Sequence, residues 1–382
     1  MLRGAREMVK LYTPGHNIIT DSLIMHGVLR ILGVLGYHSG VVQRVGERFI
    51  IDIEGLDQHS VRDLGSKFRN TDVYHSLQLT LNLYINKGYM PRDQKVSKIF
   101  ESNPNEPANR SWATNLSESL LNLDLSNYLS SDHITSVNEG RRKGVRTLYI
   151  SLSSIYGKYQ ELDYNTIDKP YSVCDTCFGL ASLGLIYGAL VTVLRRENNK
   201  YSLFMTIIPE DRIEIRDLLI IQRLLEGYMT MGRFSASAPS DIPLLALPLY
   251  SLSVGETLAA IESEADVLTW KVAKVGNFIR SLDTALIRLN KLMDFITEVK
   301  MLIPEWPRIV SQCFETEDGF TILSELTEVI VFSREISHIY STVRSIISYI
   351  EDMKDTTCKN LLERMHRVSE KLVETITKVV AI

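Results

Sequence analysis

The 382-residue sequence has few cysteines and no strong excess of charge of either sign. Its four cysteines are too few for the disulfide scaffold of a small secreted domain. The first residues contain no apolar run of signal-peptide length, so we expect a cytoplasmic protein. The net charge of −4 provides no overall attraction to nucleic acid or to an anionic membrane. Nucleic-acid binding would therefore require local basic clusters.

The sequence also lacks the common catalytic motifs. It contains no G-x-x-x-x-G-K-[ST] phosphate loop, no H-E-x-x-H zinc helix, no G-x-S-x-G elbow and no G-x-G-x-x-G turn after a strand. We therefore predict that the protein is not an enzyme and needs no cofactor. The uncharged run 178–194 is at the short limit for a bilayer span, and three glycines interrupt it. It predicts a buried helix that continues into a strand, with no membrane contact.

The first two thirds of the chain mix helical and strand patterns. Apolar residues at a helical period predict a helix over 17–35, and two β-branched runs on either side of Gly46 predict a hairpin. The central segment 174–209 predicts the buried helix and two strands that pair as a second hairpin. An amphipathic helix is expected over 211–231. The proline- and serine-rich segment 233–254 is typical of a domain boundary.

The last third shows apolar residues spaced alternately four and three apart, as in a heptad seam. The first such stripe is Ile261, Ala265, Leu268, Val272, Val275, Ile279, Leu282, Leu286, Leu289, Met293 and Ile296. It predicts one helix of about 40 residues that ends before Pro304. Further stripes over 322–350 and 361–379, with a short helix at 305–315, predict an antiparallel bundle. The predicted fold is thus α+β: a mixed domain with β-hairpins and helices over 1–240, then a C-terminal antiparallel helical bundle over 241–382.

The spacing Cys174-x-x-Cys177 is the most suggestive arrangement of reactive side chains. A structural zinc site needs four ligands, usually two such pairs, and Cys313 and Cys358 are single cysteines. A redox dithiol at the start of a helix is a second interpretation. The sequence favours a third, in which both cysteines are small residues packed at the entry to the buried helix, and we predict no metal.

Three basic clusters stand out in an otherwise acidic chain. Each cluster alone is typical of a solvated surface, but together they indicate contact with a polyanion. Two asparagines in the loop over 87–112 offer donors and acceptors for base edges, although they also suit turns. The candidate nucleic-acid-binding residues are Arg141, Arg142, Lys143 and Arg146 in a glycine-flanked turn; Lys87, Arg92, Lys95, Lys98, Asn103 and Asn105 in the long loop; and Arg195, Arg196 and Lys200 in the central hairpin.

Three features together resemble the large subunit of the archaeal type I-A CRISPR interference complex (Cascade). They are the opening TPGHNIITDSLIMHGVLRILGVLG, the central CDTCFGLASLGLIYG followed by strands, and the helical last third. The resemblance implies a non-nuclease subunit that inspects duplex DNA for the protospacer-adjacent motif and helps to unwind it. It also implies other CRISPR complex subunits, crRNA, target DNA and a nuclease-helicase as partners. The acidic net charge departs from this pattern and weighs against direct single-strand binding.

Two alternatives remain open from the sequence. One is a structural helical-bundle adaptor in a protein assembly, without nucleic-acid contact. The other is a thiol- or metal-dependent enzyme centred on Cys174 and Cys177.

Overall fold

The computed structural model describes residues 8–77, 112–137, 146–148, 152–153, 159–160, 166–167, 171–196, 199–230, 235–237, 245–254, 264–275, 278–314, 316–332, 335–354, 358–360, 362–363 and 369–380. The chain forms two compact units. The first contains Met1–Leu190, Thr206–Gly232 and Ile279–Ser281, and the second contains Val191–Met205, Arg233–Phe278 and Leu282–Ile382. The boundary near residue 240 stays a prediction.

Helices and strands both contribute to the fold, which confirms the α+β class. In chain order, the strands are β1 (Met8–Tyr12), β2 (Gly40–Val45), β3 (Arg48–Glu54), β4 (Arg146–Thr147), β5 (Tyr159–Gln160), β6 (Thr166–Ile167), β7 (Ser172–Val173), β8 (Ala189–Arg196), β9 (Asn199–Pro209), β10 (Arg212–Glu214), β11 (Ser235–Ser237), β12 (Ala265–Val275) and β13 (Phe278–Arg288). The helices are α1 (Ile18–Val34), α2 (Gln58–Arg69), α3 (Trp112–Leu121), α4 (His133–Val137), α5 (Asp175–Gly188), α6 (Ile215–Thr230), α7 (Ala246–Val254), α8 (Leu289–Leu302), α9 (Trp306–Cys313), α10 (Glu317–Phe332), α11 (Ile336–Asp352) and α12 (Ser369–Val380).

The first unit contains an antiparallel sheet in the order β1-β3-β2-β10. The predicted hairpin around Gly46 is confirmed: β2 and β3 pair from Gly40 opposite Ile53 to Val45 opposite Arg48. Gly46 has a φ of +65°, a conformation that a residue with a β-carbon adopts only at a cost in energy. Alternate side chains of β3 are buried, as expected for a strand with one face toward the core.

Helices α1 and α5 form the centre of the first unit. The Asn17 side chain caps α1 by accepting a hydrogen bond from the Thr20 N–H. Both helices are buried on nearly all sides, which explains why their sequences are apolar without a polar face. Two glycines allow the close approach, because a β-carbon on Gly27 would overlap the Leu180 carbonyl and one on Gly184 would overlap the Leu23 carbonyl.

The predicted helix and strand over 178–194 are therefore confirmed as α5 and β8. Among the described residues, no helix combines the length and apolar character that crossing a bilayer requires.

A five-stranded sheet, mainly from the second unit, has the order β11-β8-β9-β12-β13. The single 40-residue helix predicted from the first heptad stripe is wrong, because 265–275 and 278–288 are neighbouring strands. The side chains from 265 to 270 are all buried, whereas a helix would bury only one stripe. The helix prediction neglected two strand signals. One is the β-branched and aromatic residues between the stripe positions, and the other is the Gly276-Asn277 dipeptide, which is frequent in hairpin loops.

Helices dominate the second unit from Leu289 onward, as predicted. The short helix expected at 305–315 is confirmed as α9, and the buried Trp306 indole donates to Ser253. The second stripe, predicted as one seam over 322–350, is divided between α10 and α11. Cys313 and Cys358, considered single from the sequence, form a disulfide. Their pairing could not be inferred from a separation of 45 residues.

Candidate functional site

Most of the predicted DNA-contacting side chains fall outside the described residues. These are Lys87, Arg92, Lys95, Lys98, Asn103, Asn105, Arg141, Arg142 and Lys143. Arg195 and Arg196 are the last residues of β8, and Lys200 is near the start of β9. The backbone therefore brings these three cations to two strands that are neighbours in the five-stranded sheet. The assignment of all these residues to DNA binding stays a prediction.

Arg146 is the candidate whose side-chain contacts are described, and it is buried. Its Nε donates to Asp175 Oδ1 at 2.7 Å, and its two terminal nitrogens reach Glu118 Oε2 at 2.8 Å and Asn115 Oδ1 at 3.1 Å. The side chain is 8% exposed. Burial opposes the charged form, but hydrogen bonds and charge from Asp175 and Glu118 outweigh it and raise the pKa of Arg146. Arg146 thus joins α3 to the start of α5.

The strand pair β4–β7 holds Arg146 in this position. Arg146 lies opposite Val173 in the antiparallel register, and Val173 directly precedes Cys174. Cys174 is the N-cap of α5, and its Sγ accepts a 3.4 Å hydrogen bond from the Cys177 N–H. The carboxylate of Asp175, in the first turn, is favourably placed for the positive end of the helix dipole. We call 141–146 the basic segment; its last residue, Arg146, is therefore tied to the first turn of a buried helix.

A cluster of two thiols and an imidazole surrounds the same turn. His133 Nε2 lies 3.1 Å from Cys177 Sγ and 3.7 Å from Cys174 Sγ. The ligand atoms of His133, Cys174 and Cys177 all lie within 4.8 Å of one another. Cys177 and His133 are fully buried, and Cys174 is partly exposed. We call these three residues the Cys2His cluster.

A second imidazole borders the Cys2His cluster from the loop before α1. His16 Nε2 lies 3.5 Å from Cys177 Sγ, and its Nδ1 lies 2.9 Å from Tyr171 Oη. The buried Asp21 carboxylate organises this loop by accepting hydrogen bonds from the backbone N–H groups of Gly15 and His16, each at 2.6 Å. Burial raises the pKa of Asp21, while His16 and the backbone donors act in the opposite direction.

Sulfur and imidazole nitrogen suit two kinds of chemistry. They are the ligands that zinc and related borderline metals prefer, and a thiol beside an imidazole is also the arrangement of a cysteine nucleophile. Sequence reasoning found the Cys174-x-x-Cys177 signal but missed His133 and His16. Neither histidine is near the cysteines in sequence, so only the packing of α4 and the N-terminal loop against α5 brings them together.

Two comparisons with known proteins agree with each other. Residues 9–375 match the family described as CRISPR-associated protein (Cas_Csa4). The chain is also similar to a protein of the archaeon Thermoproteus tenax named CRISPR system associated protein Cas8. The two are 31% identical over 359 residues, which is 90% of this chain and 93% of the relative.

Proposed function

The chain belongs to the Csa4 family of CRISPR-associated proteins, and we propose that it recognises the protospacer-adjacent motif in duplex DNA and helps to recruit a nuclease-helicase. It is a large subunit of a CRISPR interference complex, and large subunits of this family are generally non-catalytic. Other subunits of that complex are therefore its partners. We propose crRNA, target DNA and the nuclease-helicase as further partners, and the cytoplasm as its location.

The anchored basic segment is the observation that supports DNA recognition. Arg141, Arg142 and Lys143 lie three to five residues before Arg146, which three partners hold at the start of α5. A cationic segment with one end fixed loses less conformational entropy on binding than a free tail does. In a guide-RNA complex, base pairing recognises most of the sequence, so the protein need contact only a short duplex signal and its phosphates. We assign Arg146 the anchoring role within this set.

The long loop and the central hairpin complete the proposed interface. Lys87, Arg92, Lys95 and Lys98 would contribute phosphate contacts, and Asn103 and Asn105 would contact base edges. The cations Arg195, Arg196 and Lys200 lie on consecutive strands of one sheet, where they would act as a group.

Replacing Arg141, Arg142 and Lys143 together by alanine tests the proposal. The assembled complex with its crRNA should bind a target duplex more weakly, and the slope of log affinity against log salt should become shallower. Each phosphate contact contributes about 0.9 to that slope, so the loss of three contacts lowers it by about 3. Duplexes with and without the correct motif, titrated over a range of salt concentrations, give both quantities.

A charge-matched control is Arg62→Ala, Lys67→Ala and Arg212→Ala, three exposed cations of the first unit. This control should keep the affinity and the salt slope of the unmodified complex. Unchanged binding by the Arg141–Arg142–Lys143 variant, or an equal loss in the control, would show that the assignment is wrong.

A structural adaptor without nucleic-acid contact is the second candidate. Large apolar side chains on the C-terminal helices favour it as a protein-binding element, since Phe332 is 52% exposed and Tyr340 is 60% exposed. Co-purification with the other subunits after nuclease treatment separates the two functions. The adaptor predicts unchanged recovery and no difference between duplexes with and without the motif.

A further inference from the structure

We propose that the Cys2His cluster, completed by His16, is a structural zinc site. The site is independent of the proposed DNA recognition. It would join the loop before α1, the first residue of α4 and the first turn of α5.

The distances within the cluster fit one tetrahedral ion. With Zn–S near 2.3 Å and Zn–N near 2.0 Å, a sulfur and a nitrogen ligand of one zinc ion are about 3.5 Å apart. His133 Nε2 lies 3.7 Å from Cys174 Sγ and 3.1 Å from Cys177 Sγ. Both sulfur–nitrogen distances are therefore within a few tenths of an ångström of those expected for ligands of one zinc ion, and all three atoms lie within 4.8 Å of one another.

His16 is the fourth ligand in this assignment. Its Nε2 is 3.5 Å from Cys177 Sγ, close to the separation of two ligands on one ion. The group of atoms that are mutually within 4.8 Å contains His133, Cys174 and Cys177 but not His16. The His16 ring must therefore swing toward the centre on metal binding.

Contacts on the far side of each imidazole support metal binding. His133 Nδ1 lies 3.4 Å from the Asn127 carbonyl oxygen, which can only accept a hydrogen bond. The hydrogen is therefore on Nδ1, and the lone pair on Nε2 faces the two sulfurs. His16 also has a partner on each ring nitrogen, with Nδ1 at 2.9 Å from Tyr171 Oη and Nε2 at 3.5 Å from Cys177 Sγ. Metal-binding histidines almost always have such an outer partner, which fixes the ring orientation.

Charge and burial favour zinc over a catalytic thiol. Two thiolates neutralise a divalent cation, so the loaded site places no net charge in the interior. Negative charge on Cys174 is also favourable at the N-terminus of α5. Cys177 and His133 are fully buried, which leaves a substrate no access to that thiol–imidazole pair. Two sulfurs and two nitrogens in tetrahedral geometry are typical of zinc.

Metal analysis of the purified full-length chain tests the site. We expect about one zinc per chain, and the same content in the Cys313→Ser, Cys358→Ser variant, which removes the other two cysteines. Cys174→Ser and Cys177→Ser should weaken zinc binding by more than about 100-fold in competition with a chelator. Tyr171→Phe, which removes the partner of His16 Nδ1, should weaken it by about 10–100-fold.

Cobalt substitution reports the ligands directly, even if a cysteine variant folds poorly. Co²⁺ added to the zinc-free protein should produce sulfur-to-cobalt charge-transfer absorption and intense tetrahedral d–d bands. His16→Gln should shift the d–d bands and keep the charge transfer, whereas exposed His59→Gln should change neither.

Three results would overturn the assignment. The first is a folded, unmodified chain that contains no zinc and takes up no cobalt under reducing conditions. The second is a Cys174–Cys177 disulfide in place of metal, which would identify a redox pair. The third is an equal loss of metal from the Cys313→Ser, Cys358→Ser control. All three are measured without DNA or partner subunits, so none bears on the proposed function.

Discussion

His26 should make the folded protein sensitive to mild acid. This α1 side chain is fully buried, and burial lowers its pKa from 6.5 to about 4. Its Nε2 donates to the Ile207 carbonyl at 2.8 Å, and its Nδ1 accepts from the Gln222 amide at 3.2 Å. The neutral ring therefore satisfies both neighbours. Protonation of Nδ1 would place its N–H donor next to the amide donor of Gln222.

The sign and size of the effect follow from the two pKa values. Above pH 6.5, His26 is neutral in both the folded and the unfolded chain, and its contribution to stability is complete. Between pH 6.5 and about 4, the unfolded chain binds a proton that the folded chain does not, so stability falls with falling pH. At 1.36 kcal/mol per pH unit, the total loss is about 3 kcal/mol, and it stops below about pH 4.

Urea unfolding followed by circular dichroism from pH 4 to 7.5 measures this loss. His26→Gln keeps an amide donor for Ile207 but cannot titrate, so its stability should fall less steeply over the same range. The comparison uses the pH slope, and a general loss of stability in the variant does not affect it. Exposed His59→Gln should keep the slope of the unmodified protein. If His26→Gln loses as much stability between pH 6.5 and 4 as the unmodified chain, the reasoning is refuted.

Two further predictions concern stability. Gly184→Ala should lower the free energy of unfolding by at least about 1–3 kcal/mol, because the new methyl group overlaps the Leu23 carbonyl. A β-carbon on Gly179, in the same helix, would lie 3.4 Å from its nearest neighbour, Leu120 Cδ2. Gly179→Ala should therefore leave the free energy of unfolding unchanged or raise it by up to about 1 kcal/mol. Equal urea midpoints for the two variants would contradict this prediction. Loss of the Cys313–Cys358 disulfide, which closes 45 residues, should cost up to about 4 kcal/mol. Reductant should therefore lower the melting temperature of the unmodified chain but not that of Cys313→Ser, Cys358→Ser, and an insensitive unmodified chain would contradict the prediction.

Local sequence patterns correctly predicted the helices and strands that depend on residues close together in the chain. Asn17 caps α1, Gly46 separates two β-branched runs, and the uncharged run 178–194 became α5 and β8. The single helix predicted from the heptad stripe over 261–296 was wrong, because the prediction considered only the stripe positions and not the residues between them. Val267, Thr269 and Trp270 are buried as well, as in a strand covered on both faces.

The amino-acid sequence alone determined the α+β class, the family resemblance and the central Cys174-x-x-Cys177 signal, since each depends on neighbouring residues along the chain. Only the tertiary structure placed His16 and His133 beside those cysteines and Arg146 between Glu118 and Asp175. These contacts join residues far apart in sequence, as does the close packing of α1 and α5 at Gly27 and Gly184. The spacing of residues in the sequence does not reveal such long-range contacts. The side chains that could share one metal ion are therefore identified only in the folded protein.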